Sequence, residues 1–213
     1  MDIILFGPPG AGKGTQASAA SDAADIIHVS TGDIFRHHLK TGTPLGEKVR
    51  SYISEGKLVP DEVVMEVVAS RLEQDDAQDG VLFDGFPRTV NQADLLRDWL
   101  KARGRDVDVV INLVVPDAVV EARLSGRRSC LSCGATYHVT HSPPGPDGDC
   151  TKCEDKVVQR KDDQAETVRK RIATYHAETA PVLAWARGAV KVVDVNADQA
   201  ITTVRTEVLA ALR

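Results

Sequence analysis

Aromatic side chains are scarce in this chain, with four Phe, three Tyr and two Trp among 213 residues. Few π-faces are available for stacking successive bases, which counts against a protein that holds single-stranded nucleic acid. An excess of positive charge is also missing, since the formal net charge is −5. Nonspecific wrapping of nucleic acid is thereby disfavoured, and any polyanion must be met by locally clustered bases. No apolar run approaches the ~18 residues needed to cross a bilayer. The first strand starts at Asp2 with no basic leader before it, so a cytoplasmic protein with no membrane partner is expected. Cysteine is limited to four residues, which in a reducing compartment are metal ligands or free thiols rather than disulfides. Gly-x-Ser-x-Gly, His-Glu-x-x-His and Asn-Lys-x-Asp are all lacking. His28, His37, His38, His138, His141 and His176 fall in no recognisable catalytic pattern.

What is present reads as a doubly wound α/β domain. Asp2-Ile3-Ile4-Leu5-Phe6 is a short apolar run that stops at a Gly/Pro cluster, as a buried strand does. Residues 81–84, 107–115 and 190–195 are β-branched runs of the same kind, and 26–29 is a further candidate. Between them, amphipathic stretches at 13–24, 61–72, 90–103, 117–125, 162–176 and 197–212 predict helices. Pro60-Asp61 and Asp162 are expected to start two of these, an acidic side chain accepting the unpaired first-turn amides. From residue 129 to 159 the helical period disappears, Pro and Gly become dense, and all four cysteines occur. This segment is expected to be a small inserted domain.

Gly7-Pro8-Pro9-Gly10-Ala11-Gly12-Lys13-Gly14-Thr15 follows the first strand and opens the first helix, the setting of a phosphate-binding P-loop. Glycines let amides turn inward around phosphate oxygens, and the helix N-terminus and Lys13 add positive charge. Gly14 occupies the place where the general pattern has the magnesium-binding Ser or Thr. Asp84, ending a predicted strand, can instead orient magnesium-bound water, or it is a turn cap. Arginines gather near the same strand ends: Arg36 after Thr31-Gly32-Asp33, Arg88 after Gly85-Phe86-Pro87, then Arg123, Arg127, Arg160 and Arg171. Singly these read as solvated surface; beside a P-loop they suit in-line phosphoryl transfer, which asks for charge neutralisation more than for a nucleophile.

Cys130-x-x-Cys133 and Cys150-x-x-Cys153 are two pairs separated by sixteen residues, a zinc-site spacing. Four thiolates would close the shell of a structural Zn2+, cross-linking a segment too small for a good core. A zinc ribbon that grips nucleic acid is the alternative from another class. Against it stand the acidic balance and Tyr137 as the segment's only aromatic.

These blocks, with Arg160-Lys161-Asp162-Asp163 and Thr167-Val168-Arg169-Lys170-Arg171, resemble bacterial adenylate kinase of the long, zinc-containing form, from Met1 through the final helix. The resemblance implies a P-loop NTPase-type doubly wound parallel sheet with an inserted zinc-ribbon-like lid, divided as core 1–30, AMP-binding segment 31–65, core 66–128, lid 129–159 and core 160–213. It implies that Gly10, Ala11, Gly12, Lys13, Gly14, Thr15, Arg123, Arg127, Thr136, Tyr137 and a backbone carbonyl near Ala197 contact ATP. AMP would be held by Thr31, Arg36, the backbone of Lys57, Leu58 and Val59, Gly85, Phe86, Pro87, Arg88 and Gln92, with Arg160 and Arg171 clamping phosphates. Lys13, Asp84, Arg88, Arg123, Arg127, Arg160 and Arg171 would carry catalysis with Mg2+. ATP, AMP and ADP would be the partners of a monomer. A kinase for UMP, CMP or GMP on the same scaffold remains the rival enzyme.

Overall fold

β1 (Asp2–Phe6) is buried at every position, and its alternate residues enter different cores. Ile4 and Phe6 join one apolar cluster, whereas Ile3 and Leu5 join another. A strand that is apolar on both faces needs a layer on each side. The computed structural model, which describes residues 1–213, supplies both layers.

The central sheet has five strands in the order β2-β3-β1-β4-β8, all parallel. Besides β1, these are β2 (Ile27–Ser30), β3 (Val81–Asp84), β4 (Val109–Val114) and β8 (Lys191–Asn196). The expected run at 26–29 is thus a strand, displaced by one residue. One face is covered by α2 (Thr31–Thr41), α3 (Pro44–Glu55), α4 (Asp61–Leu72), α5 (Val90–Lys101) and α8 (Pro181–Ala189), through Phe35, Val49, Val68, Leu96, Val182 and their neighbours. The other is covered by α1 (Lys13–Ala24), α6 (Asp117–Gly126), α7 (Ala165–Thr174) and α9 (Ile201–Ala211), through Ala17, Leu124, Val168 and Val204. The chain leaves β1 toward one edge, returns through β3 and continues on the other side, so a crevice opens at the carboxyl ends of β1 and β3.

A second, antiparallel sheet of order β6-β5-β7 is built from β5 (Arg127–Cys130), β6 (Thr136–His138) and β7 (Val157–Val158). Its core is small: Cys130, Tyr137 and Cys150, with Ala135 and Val157 against them.

One expected helix start and both expected side-chain caps are corrected. Neither Pro60 nor Gln164 gives a side-chain cap to the helix that follows. Asp162 lies in a 3-10 turn (Lys161–Asp163), and α7 begins only at Ala165. Asp61 does stand at the start of α4, but its carboxylate accepts from Thr89 Oγ1, Asn91 Nδ2 and Gln92 Nε2 instead of from its own helix. Asp162 is taken by guanidiniums, with Arg160 at 2.6 Å and Arg171 at 3.1 Å. Charge-assisted bonds of this kind outcompete a neutral first-turn amide.

Candidate active site

Residues between β1 and α1 form a loop across the carboxyl edge of the sheet. Gly10 and Gly12 adopt φ of 79° and 97°, left-handed values that a Cβ would strain. Lys13 folds back over this loop, its Nζ donating to the carbonyls of Gly7 at 2.7 Å and Pro8 at 2.9 Å. Burial pushes the Lys13 pKa down to about 8; Asp84 opposes this, while Arg88, Arg171 and Arg127 add repulsion. An ammonium so placed lacks a counter-anion, and phosphate oxygens would supply one.

Asp84 ends β3, and its Oδ2 lies 3.7 Å from where a Cβ on Gly14 would sit. The carboxylate thus stands in van der Waals range of the loop at Gly14. His28 Nε2 stands 3.4 Å from the same oxygen. The sequence offered no sign of that neighbour, because His28 is on a different strand and belongs to no motif.

Beside the loop a pocket is lined by Thr31, Arg36, Lys57, Leu58, Val59, Gly85, Arg88, Gln92, Arg160 and Arg171, so these expected residues converge from five separate stretches of chain. Ser30 caps α2 through Asp33 N at 3.3 Å, which sets Thr31 and Arg36 on the helix's first two turns. Thr31 Oγ1 donates to Gly85 O at 2.9 Å, and Arg88 Nε donates to the same carbonyl at 2.7 Å. Burial lowers the pKa of both Arg36 and Arg88. Phe86 and Pro87 are not among the lining residues; Phe86 is buried in the core. Lys57 pairs its ammonium with Glu55, which is not a lining residue.

The other arginines are tied to acids that sequence reasoning missed in this role. Asp163, 0% exposed, accepts from Arg127 Nε at 2.8 Å and Nη2 at 2.6 Å, and from Arg171 Nη1 at 3.0 Å. Burial raises the Asp162 acid, but Arg171 and Arg160 outweigh it and hold the pKa at about 2. Burial also drives Arg171 down to about 10. Two adjacent acids, two and three residues after Arg160, were the available signal. Arg123 is anchored further out, Nη2 donating to the Ala197 carbonyl at 2.9 Å, so two expected ATP contacts are neighbours.

In the second sheet the sulfurs of Cys130, Cys133, Cys150 and Cys153 all lie within 4.8 Å of one another. Cys130 and Cys153 are 3.4 Å apart and Cys133 and Cys150 3.5 Å. Zn–S bonds of about 2.3 Å in a tetrahedron require sulfurs about 3.8 Å apart, so the residues fit Zn2+. Tyr137 turns its ring into this core, its hydroxyl 3.2 Å from Cys150 Sγ and 2.9 Å from Thr151 Oγ1. That hydroxyl is the first cause of a Cys150 pKa lowered to about 6. Thr136, next to it on β6, is exposed. Lys40, on α2, reaches across to this sheet, its Nζ donating to Leu131 O at 2.9 Å.

A family model described as adenylate kinase matches residues 5–189. The chain belongs to the adenylate kinase family. A curated adenylate kinase of Caldicellulosiruptor saccharolyticus is 46% identical over 212 residues, covering 100% of this chain and 99% of its own. The adenylate kinase of Moorella thermoacetica is 49% identical over 205 residues, covering 96% and 94%, and that of Clostridium perfringens is 47% identical over 204 residues, again covering 96% and 94%. Family membership accounts for the pairing of a P-loop with an arginine-lined pocket. No helix is long and apolar enough to cross a membrane.

Proposed function

We propose that this chain catalyses the reversible transfer of the terminal phosphoryl group of MgATP to AMP, giving two ADP. One observation carries the reading. Asp84 lies beside Gly14 of the P-loop, and the next residue, Gly85, lines the pocket together with Thr31, Gln92, Arg88 and Arg171, so loop and pocket adjoin one cationic centre. In this reading an oxygen of the AMP phosphate forms the new bond to the γ-phosphorus of ATP while the bond to the β,γ-bridging oxygen breaks. No protein nucleophile takes part.

Residues 10–15 and Lys13 hold the ATP phosphates, with Arg123, the Thr136-Tyr137 backbone and the Ala197 carbonyl toward the donor nucleoside. Arg36 and Arg88 align the AMP phosphate, and Thr31, the 57–59 backbone, the Gly85–Pro87 turn and Gln92 receive its nucleoside. Arg127, Arg160 and Arg171 neutralise charge building on the transferring group. Magnesium supplies further neutralisation when it enters with ATP, and Asp84 is the carboxylate placed to orient its water. Residues 129–159 form a lid and 31–65 a second mobile segment; their closure excludes water, which would otherwise accept the phosphoryl group. A cytoplasmic monomer without nucleic-acid or membrane partners completes the proposal.

A coupled assay of ADP formation with AMP, UMP, CMP and GMP offered in turn decides the acceptor. AMP should be preferred by at least about a hundredfold in kcat/KM; equal use of a pyrimidine nucleotide would replace the reading with the rival one.

Zinc is proposed to hold the lid through Cys130, Cys133, Cys150 and Cys153. Elemental analysis of protein purified without chelators should find about one zinc per chain, and chelation should lower the melting temperature. Protein that is folded, active and free of metal would refute this.

The lowered Lys13 pKa gives a proton linkage. Free enzyme begins to lose the Lys13 proton near pH 8, while bound phosphate favours the ammonium. ATP binding should therefore take up protons as pH rises through 8 and weaken progressively above it. Titration calorimetry in buffers of different ionisation enthalpy measures the uptake, and a zero slope at pH 8.5 would contradict it.

A further inference from the structure

We infer that Asp61 sets the base specificity of the acceptor pocket by fixing which way round the Gln92 amide faces. The inference rests on the reading above in which Gln92 meets the base of the acceptor nucleotide.

Gln92 lines the pocket and is 1% exposed. Its two amide ends have partners of opposite and unambiguous character. Oε1 accepts from the backbone N–H of Arg88 at 2.8 Å, and Nε2 donates to Asp61 Oδ1 at 2.8 Å. A backbone N–H can only donate and a carboxylate can only accept, so turning the amide over would set donor against donor and acceptor against acceptor. The orientation follows from the partners themselves rather than from a choice between nearly identical atoms.

Asp61 is itself held. Its other oxygen, Oδ2, accepts from Thr89 Oγ1 and Asn91 Nδ2, both at 2.9 Å. Thr89 in turn caps α5, its side chain accepting from Gln92 N at 3.0 Å. The first residue of α4 and the first turn of α5 are therefore locked together around one amide. This also explains why Asp61 gives nothing to its own helix.

The lock leaves Gln92 one free lone pair on Oε1 and one free N–H on Nε2. Adenine presents an amino donor at position 6 beside a ring-nitrogen acceptor, the complement of that pair. Hypoxanthine has the same shape but carries a carbonyl acceptor at position 6 and an N–H at position 1. A freely turning amide could serve either base, whereas the fixed one would oppose its oxygen to the hypoxanthine carbonyl. Asp61 is thus a positioning residue that acts through Gln92.

The test compares AMP with inosine monophosphate as phosphoryl acceptors for the full chain and three variants. Wild type should strongly prefer AMP. In Asp61→Leu only the Arg88 N–H still orients the amide, so the turned-over form becomes accessible and the AMP to inosine monophosphate ratio of kcat/KM should fall about tenfold. That fall should come mainly from a higher KM for AMP and a lower one for the inosine nucleotide, with kcat little changed. Asp61→Asn keeps the side-chain shape and can still present one oxygen to Gln92 Nε2, so it should lower the ratio in the same direction but by less; melting curves confirm that both variants are folded. A merely structural role for Asp61 would weaken both nucleotides equally. Gln92→Leu removes the amide and should collapse the ratio further. An unchanged ratio in folded Asp61→Leu and Asp61→Asn, together with a collapsed one in Gln92→Leu, overturns the inference. An unchanged ratio in Gln92→Leu overturns instead the placement of the base at Gln92.

Discussion

Lys13→Ala should lower turnover by about a thousandfold, the scale on which one preorganised charge contact to a transition state acts. The ammonium is half-buried and carries no carboxylate partner of its own; its bonds go to the carbonyls of Gly7 and Pro8. Those carbonyls hold it over the loop but do not neutralise it, so its charge remains for the phosphates. Alanine removes that charge without disturbing the left-handed turns at Gly10 and Gly12, and melting behaviour should change little. The loss should appear mainly in kcat, measured by coupled ADP formation at saturating ATP and AMP. Turnover within a few-fold of wild type would remove the P-loop from the mechanism.

Asp163→Ala is the change expected to cost most in stability, at about 3 kcal/mol. Removing one partner of a buried ion pair leaves an uncompensated charge, and the usual penalty is roughly 3–5 kcal/mol. Asp163 serves two guanidiniums, those of Arg127 and Arg171. Arg171 keeps a bond to Asp162, which places the estimate at the lower end. For a chain of this size the melting temperature should drop by about 6–12 °C in thermal unfolding. A shift below about 2 °C would mean that water reaches both arginines once the carboxylate is gone.

Much of the fold was legible because its signals are local. The opening strand is apolar at consecutive positions and ends at Gly7, and the parallel sheet follows from several such runs alternating with helical stretches. The cysteine spacing pointed to four sulfurs brought together, and they do lie together. The meeting of Arg36 and Arg88 at one crevice was legible from their places after strand ends, whereas Thr31 and Gln92 as lining of the same pocket came through family resemblance, since nothing in the spacing says that α2 and α5 face each other. Helices α2, α3 and α8 went unanticipated. α2 fully buries only Thr31 and Phe35, and α3 only Gly46 and Val49. Partly buried Ile34, Leu45, Tyr52 and Ile53 widen those stripes, so the helical period was in fact legible there.

What the sequence hid is the destination of acidic side chains. Asp61 reads as a helix cap but bonds to a residue 31 positions away, and Asp162 reads as another cap but serves arginines. A carboxylate near a helix start has both options, and only the folded position of the competing donors decides between them. The same holds for Lys40 and Leu131, 91 residues apart in the chain.

The pull of burial on Lys13, Arg36, Arg88 and Arg171 is downward in every case. Cations gathered in one hollow repel one another, so the protein by itself resembles a salt missing part of its anion. Polyphosphate completes that salt. Under the proposed function, nucleotide should therefore raise the melting temperature as well as react, because a ligand of the folded state alone stabilises it.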